Sequence, residues 1–450
     1  MFMKVSKIIS IALCCTLLLG CSKGALTEPK NQESKEGKPK TSTTTNAYHT
    51  FDYSEHTDGN ESLYKTQLVD ITKLKEGTPV FALKEQTADW RFFSFEGFNN
   101  QDSIFGYDVR TCNISDEDLS VVKDMNTVSF DTDTIWPEKL PDGFNPDEIL
   151  EDNKNPGLGI RSLHEQGITG KGVGIAIIDQ ALLQSHEQYK DNLMYYERIH
   201  CNDDVASMHG PAVASIAVGK DIGVAPGAKL YYIASTFGHY NENVEGGYEF
   251  DASIIADTIL RILDINKNLP DNEKIRVISI SRGYVPSDKG YKEVTDAIRK
   301  ADEQNVFVIT TSTGDFYKGF ELMGMDRDYL DDPDKVESFQ PAAWVADEYF
   351  TNPSSFKNNI LVPIGSRTIA EPTGDADYSI ARNGGLSWGV PWCAGLYALC
   401  CQVKPDITPQ EFIDLAYSTA VSADIDHAGK TYQLGKMINP DGIIKKLKGE

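Results

Sequence analysis

The chain has 450 residues, 40% hydrophobic and 10% aromatic, enough to bury a sizeable core in one large domain with additions or in two domains. Its formal net charge is −24. So acidic a surface disfavours nucleic acid, whose phosphates are bound through Lys and Arg.

The first twenty residues read as a processing signal. MFMKVSK is a short basic start, and IISIALCCTLLLG is an apolar run too short to span a bilayer comfortably. The run ends Leu18-Leu19-Gly20-Cys21, with polar residues after it. This arrangement resembles the lipobox of bacterial lipoproteins. The resemblance implies lipidation at Cys21, which would hold the chain at a membrane surface, extracytoplasmic, with the rest in water. Residues 21–50 are dominated by Lys, Glu, Ser, Thr and Pro and read as a disordered tether.

Residues 51–150 form a mixed region of unassigned role. Strand-like TPVFAL and WRFFSF alternate with polar turns, and DTDTIWPEKLPDGFNPDEI is a proline-punctuated connector. From about residue 156 apolar strand runs alternate with helical patterns. VGIAIID (173–179), KLYYIAS (229–235), RVISIS (276–281) and VFVITTS (306–312) read as strands. GPAVASIAVG (210–219), ASIIADTILRILDINKNL (252–269) and YKEVTDAIRKADEQN (291–305) read as helices. The fold class is α/β, a mainly parallel twisted sheet with helices on both faces, preceded by a small mixed or β-rich region.

In such sheets function gathers at the carboxyl ends of the strands. There the sequence places Asp179 after VGIAIID, His209 at the mouth of a helix, Gly314-Asp315 after VFVITTST, and Ser387 in GGLSWGVPWCAG (384–395) at the mouth of another helix. Serine as nucleophile, histidine as base and aspartate as orienting partner make a hydrolytic triad. Taken singly, each residue has a plainer role as strand end, helix start or N-cap.

The order and surroundings of these residues resemble the subtilisin-like serine peptidases (subtilases). ITGKGVGIAIIDQALLQSHEQ matches the aspartate motif, with a second histidine at His186. HGPAVASIAVG matches the histidine motif, and DIGVAPGAKLYYI the stretch after it. RVISISRG matches the substrate-binding strand, here ending Ser281-Arg282-Gly283. GGLSWGVPWCAG matches the serine motif, and KPDITPQEFIDLAYSTA the helix that comes after it. The resemblance covers about residues 156–450 and implies a peptidase acting on protein or peptide through Asp179, His209 and Ser387. It implies Ser281, Arg282, Gly283 and Gly314 as substrate-binding residues.

Four departures stand out: Gln180-Ala181 after the aspartate, Pro211-Ala212 after His-Gly, Leu386 and Trp388 around the serine, and Asp315 where the family usually has an oxyanion-binding Asn. An ionised carboxylate cannot donate to an oxyanion, and loss of one such donor costs on the order of 10²–10³ in turnover. A protonated Asp315 could still donate, and some prohormone convertases of the superfamily share the Asp. The competing reading is therefore a pseudoprotease, a subtilase fold serving as a peptide-binding or regulatory module.

The segment FYKGFELMGMDRDYLDDPDKVESFQPAAW (316–344) reads as an insert with an acidic loop. Many subtilases bind calcium, but this loop lacks EF-hand spacing, and a solvated acidic loop is the better reading. No cofactor is placed. Cys393 and Cys400 read as buried thiols, and the odd cysteine count after Cys21 gives no disulfide framework.

Overall fold

The computed structural model describes residues 50–51, 107–122, 125–201, 205–240, 248–317 and 319–450. Cys21, its preceding apolar run, most of the tether, TPVFAL and WRFFSF lie outside the described residues. The chain begins with β1 (Thr50–Phe51), β2 (Tyr107–Asp108) and β3 (Val128–Asp131), then α1 (Pro146–Asp152) and α2 (Ile160–Glu165). The middle runs β4 (Gly174–Asp179), β5 (Leu193–Ile199), α3 (His209–Val218), β6 (Lys229–Ala234), β7 (Gly238–Tyr240), β8 (Tyr248–Phe250), α4 (Ala252–Lys267), β9 (Ile275–Ile280), α5 (Tyr291–Asp302), β10 (Phe307–Thr310) and α6 (Thr313–Phe316). The last third adds β11 (Glu321–Arg327), β12 (Phe339–Pro341), α7 (Ala346–Thr351), β13 (Asn359–Pro363), β14 (Arg367–Ala370), β15 (Tyr378–Ala381), α8 (Leu386–Val403), α9 (Pro409–Ser418), β16 (Asp424–His427), β17 (Lys430–Gln433), β18 (Lys436–Met437) and α10 (Pro440–Lys448).

A six-stranded sheet in the order β1-β5-β6-β4-β9-β10 is parallel throughout. Every residue of β4 and of β10 is buried, which is why these strands are continuous apolar runs rather than alternating ones. The chain lays β5 and β6 to one side of β4 and β9 to the other, so the strand order reverses beside β4. That reversal opens a crevice at the carboxyl ends, and it falls between Asp179 and the segment that starts at Ser281.

Helix α8 is apolar on all sides and is buried from Trp388 to Cys401. Its thiols Cys393, Cys400 and Cys401 are buried and free. Pro391 does not break it, and the helix runs on to Val403. Proline has no N–H to give the carbonyl four residues back, which is that of Ser387. That carbonyl is left to find a partner outside the helix.

The insert after α6 is more than an acidic loop. Its β11 enters a four-stranded sheet, β12-β11-β13-β18, pairing in parallel with β13. The loop after β11 winds about Arg327, whose guanidinium donates to the carbonyls of Asp328 and Asp331. Asp334 accepts from Gly159 N–H and Asn155, and Asp332 from Asp334 N–H. These carboxylates are committed to protein donors, and among the described residues no group of three or more His, Cys, Asp or Glu is arranged to hold a metal ion.

Residues 107–152 pack into the rest of the fold rather than standing apart from it. Strand β3 pairs with β15, and the sheet order is β14-β15-β3-β2. Their shared core joins Val109, Phe130 and Ile149 to Ile222, Tyr329 and Ile380. Among the described residues no helix is long and apolar enough to cross a membrane.

Candidate active site

Asp179 ends β4 and is 2% exposed. Its Oδ1 accepts from Gln180 N–H at 2.8 Å and from His209 Nδ1 at 2.6 Å. An ionised carboxylate only accepts, so Nδ1 carries the proton, and the neutral imidazole leaves Nε2 as an acceptor. His209 is the first residue of α3 and retains 22% side-chain exposure. The departures from the family pattern are built into this corner. Gln180 Oε1 accepts from Ser207 Oγ at 2.6 Å, which ties the aspartate turn to the approach of α3. Pro211 sits in the first turn of α3, where a missing N–H costs no helical hydrogen bond. Gly210 is required: a Cβ there would lie 2.7 Å from Ala181 O and 2.8 Å from the Tyr232 hydroxyl.

Ser387 lies in the first turn of α8, whose backbone N–H groups have no helical acceptor. Its carbonyl, left without a helical partner by Pro391, accepts from Ser281 Oγ at 2.8 Å. In return Ser387 Oγ donates to Ser281 O at 3.4 Å. The serine motif and the Ser281 segment are thus joined by a reciprocal pair that Pro391 makes possible. Among the described residues Ser387 Oγ makes no hydrogen bond to His209. The link between them is the next side chain: the Trp388 ring centroid lies 5.1 Å from that of His209.

The segment after β9 is fastened to the end of β10. Thr311 N–H donates to Arg282 O at 3.2 Å, and Tyr284 N–H to Ser312 Oγ at 3.0 Å. Arg282 stacks its guanidinium 3.8 Å over the Phe250 ring. Gly283 lies so near Thr311 that a Cβ would come within 2.8 Å of its hydroxyl oxygen. Gly314 and Asp315 lie in α6, and Glu321 packs over Gly314. Asp315 is exposed.

His186 lies outside this group. Its Nδ1 accepts from Gln188 N–H at 3.2 Å, so Nε2 carries the proton given to Asp377 O at 3.0 Å. Burial pushes its pKa down, which favours this neutral form. It pins the loop before β15 and takes no part in the Asp179–His209 pair.

Two positions nothing in the sequence pointed to hold the approach to Ser387. The Trp344 indole donates to Gly384 O at 3.2 Å. Asp326 of β11, 1% exposed, accepts from the backbone N–H groups of Ala343 and Gly384. Burial pushes its carboxyl up to about 6 against the opposing pull of Arg382. Gly384 has no room for a side chain, since a Cβ would lie 2.2 Å from Ile364 O. Both clamps come from the insert and its end.

Residues 170–362 match the family model described as the subtilase family, Peptidase_S8. Over this stretch the chain resembles a subtilase domain. Solved structures similar to it include the prenylagaramide maturation protease PagA, at 19% identity over 65% of this chain and 99% of that one, with a TM-score of 0.45. The PatG macrocyclase domain is similar at 14% identity over 65% and 95%, with a TM-score of 0.43. The patellamide maturation protease PatA is similar at 20% identity over 62% and 97%, with a TM-score of 0.43. Among curated proteins none matches the chain. The model match spans the aspartate and histidine motifs; the serine motif lies beyond it, and Ser387 rests on its own geometry.

Proposed function

We propose that the protein is a serine endopeptidase, extracytoplasmic and held at the bacterial membrane by a lipid on Cys21. The observation that carries this reading is the 2.6 Å Asp179–His209 bond, with Ser387 at a helix start whose next residue touches the imidazole. Ser387 Oγ would turn from Ser281 O to His209 Nε2 and attack the peptide carbonyl carbon while Nε2 takes its proton. Collapse breaks the C–N bond, Nε2 protonates the leaving amine, and an acyl-enzyme remains. Water, deprotonated by the same nitrogen, releases the acid. Asp179 orients the ring and balances its charge. Ser387 N–H supplies one oxyanion donor, and Asp315 stands at the second position. The Ser281-Arg282-Gly283 segment would pair with extended substrate backbone, and Gly314 borders the same groove.

A second reading, a pseudoprotease that binds peptide without useful turnover, is favoured by two observations. Asp315 is exposed, and Ser387 Oγ faces Ser281 rather than His209. Fluorophosphonate labelling from pH 5 to 8 separates the two. Labelling of the native protein that is lost in Ser387→Ala supports the peptidase. Labelling recovered only in Asp315→Asn means a fold silenced by one carboxylate. Labelling in neither supports the binding module.

A further inference from the structure

We propose that Trp388 is a positioning residue that holds the His209 ring and stabilises its protonated form through the face of the indole. The proposal rests on the peptidase reading for its catalytic consequence, and on geometry for the contact itself. The two ring centroids are 5.1 Å apart and the planes are inclined at 31°. Trp388 is 7% exposed and comes directly after the nucleophile on α8, with its own N–H given to Gly385 O at 3.0 Å. The indole therefore moves with Ser387 as one body.

One hydrogen bond, from Nδ1 to Asp179, leaves an imidazole free to swivel about that bond. A flat apolar wall against the ring removes that freedom and keeps Nε2 toward the serine. The wall also has a charge preference. The face of an indole is the negative end of its quadrupole and attracts a cation within about 6 Å of the centroid. During acyl transfer His209 becomes a cation, and the charged group the structure puts against it is Asp179 of β4. Tyr232, which hydrogen-bonds Gln180 O in the same corner, is pushed well above the usual tyrosine range by burial and stays neutral. The indole adds stabilisation that appears only when the proton has moved, which is the kind that speeds a reaction.

The contact can be read without substrate, because an imidazolium quenches indole emission far more than a neutral imidazole does. Native fluorescence is expected to rise in one step as pH is raised, and the step should vanish in both Trp388→Phe and His209→Gln. For catalysis, Trp388→Leu should lower kcat/KM by about 2- to 30-fold and move the acid limb of its pH profile to lower pH, while Trp388→Phe recovers most of the rate. A role in packing alone would lower the rate and leave the acid limb in place. A fluorescence step that persists in Trp388→Phe overturns the proposal, as does an unmoved acid limb in Trp388→Leu. If the native step is present and lost in both variants but no serine labelling or turnover is found, the contact stands and the peptidase reading falls.

Discussion

Glu371, directly after β14 at the start of the loop to β15, is the sharpest test of how burial governs this molecule. It is 4% exposed, and its Oε1 has no hydrogen-bond partner among the described residues. Burial pushes its carboxyl up to about 7; the attraction of Arg110 opposes this, while the charges of Asp131 and Asp108 add to it. The native state thus binds a proton more tightly than the unfolded chain. Stability from this group is complete below about pH 4.5 and is lost as pH rises through 7. Between pH 5 and pH 8 the loss integrates to about 2.5 kcal/mol, taking 1.36 kcal/mol for each unit of displacement. Glu371→Gln removes the titration and keeps the shape. Urea unfolding of variant and wild type at several pH values should show the variant gaining on the wild type by about that amount from pH 5 to pH 8. A difference that stays flat across this range would mean that Glu371 is solvated. A difference that grows the other way would mean that the attraction of Arg110 outweighs burial. Either result refutes the reasoning.

The geometry sets three further outcomes. Gly210→Ala drives a methyl into Ala181 O and Tyr232 and shifts His209 off Asp179; serine labelling should slow by about 10²-fold while circular dichroism is unchanged. Asp326→Ala leaves the buried Gly384 N–H, three residues before Ser387, and the half-buried Ala343 N–H without an acceptor; chemical unfolding should show a loss of about 1–3 kcal/mol, and labelling should slow in the protein that still folds. A chain that starts at residue 153 lacks β3 and exposes the Ile380 and Tyr329 faces; it should be insoluble or bind a hydrophobic dye.

The central sheet was legible because its strands obey one local rule. A strand covered on both faces must be apolar throughout, and VGIAIID, KLYYIAS, RVISIS and VFVITTS all are, so their ends could be found within a residue or two. The same rule puts Asp179 at the crevice from sequence alone, whereas Ser281 came from the resemblance of RVISISRG to a substrate-binding strand. Strand β11 escaped because it sits in a stretch rich in charge, where Asp326 and Arg327 are buried despite their polarity. Burial of such residues depends on partners far along the chain, Ala343 and Gly384 for one and Asn153 and Ser366 for the other, and no local pattern announces them. The β3–β15 pairing escaped for the same reason: its two strands are four residues each and are separated by some 250 positions.

The departures from the family pattern gain meaning only in space. Read in line, Gln180, Pro391 and Trp388 are respectively a substitution, a helix irregularity and a bulky neighbour. In the fold Gln180 holds the turn beneath His209, Pro391 frees the carbonyl that Ser281 takes, and Trp388 reaches the imidazole. All three bear on where Asp179, His209 and Ser387 sit, and none carries a proton or a nucleophile. Asp315 differs from them in kind. The proposed mechanism asks it to face the charge that develops on the substrate, and it is exposed. Activity, if it is low, should therefore respond to Asp315→Asn far more than to restoring any of the other three.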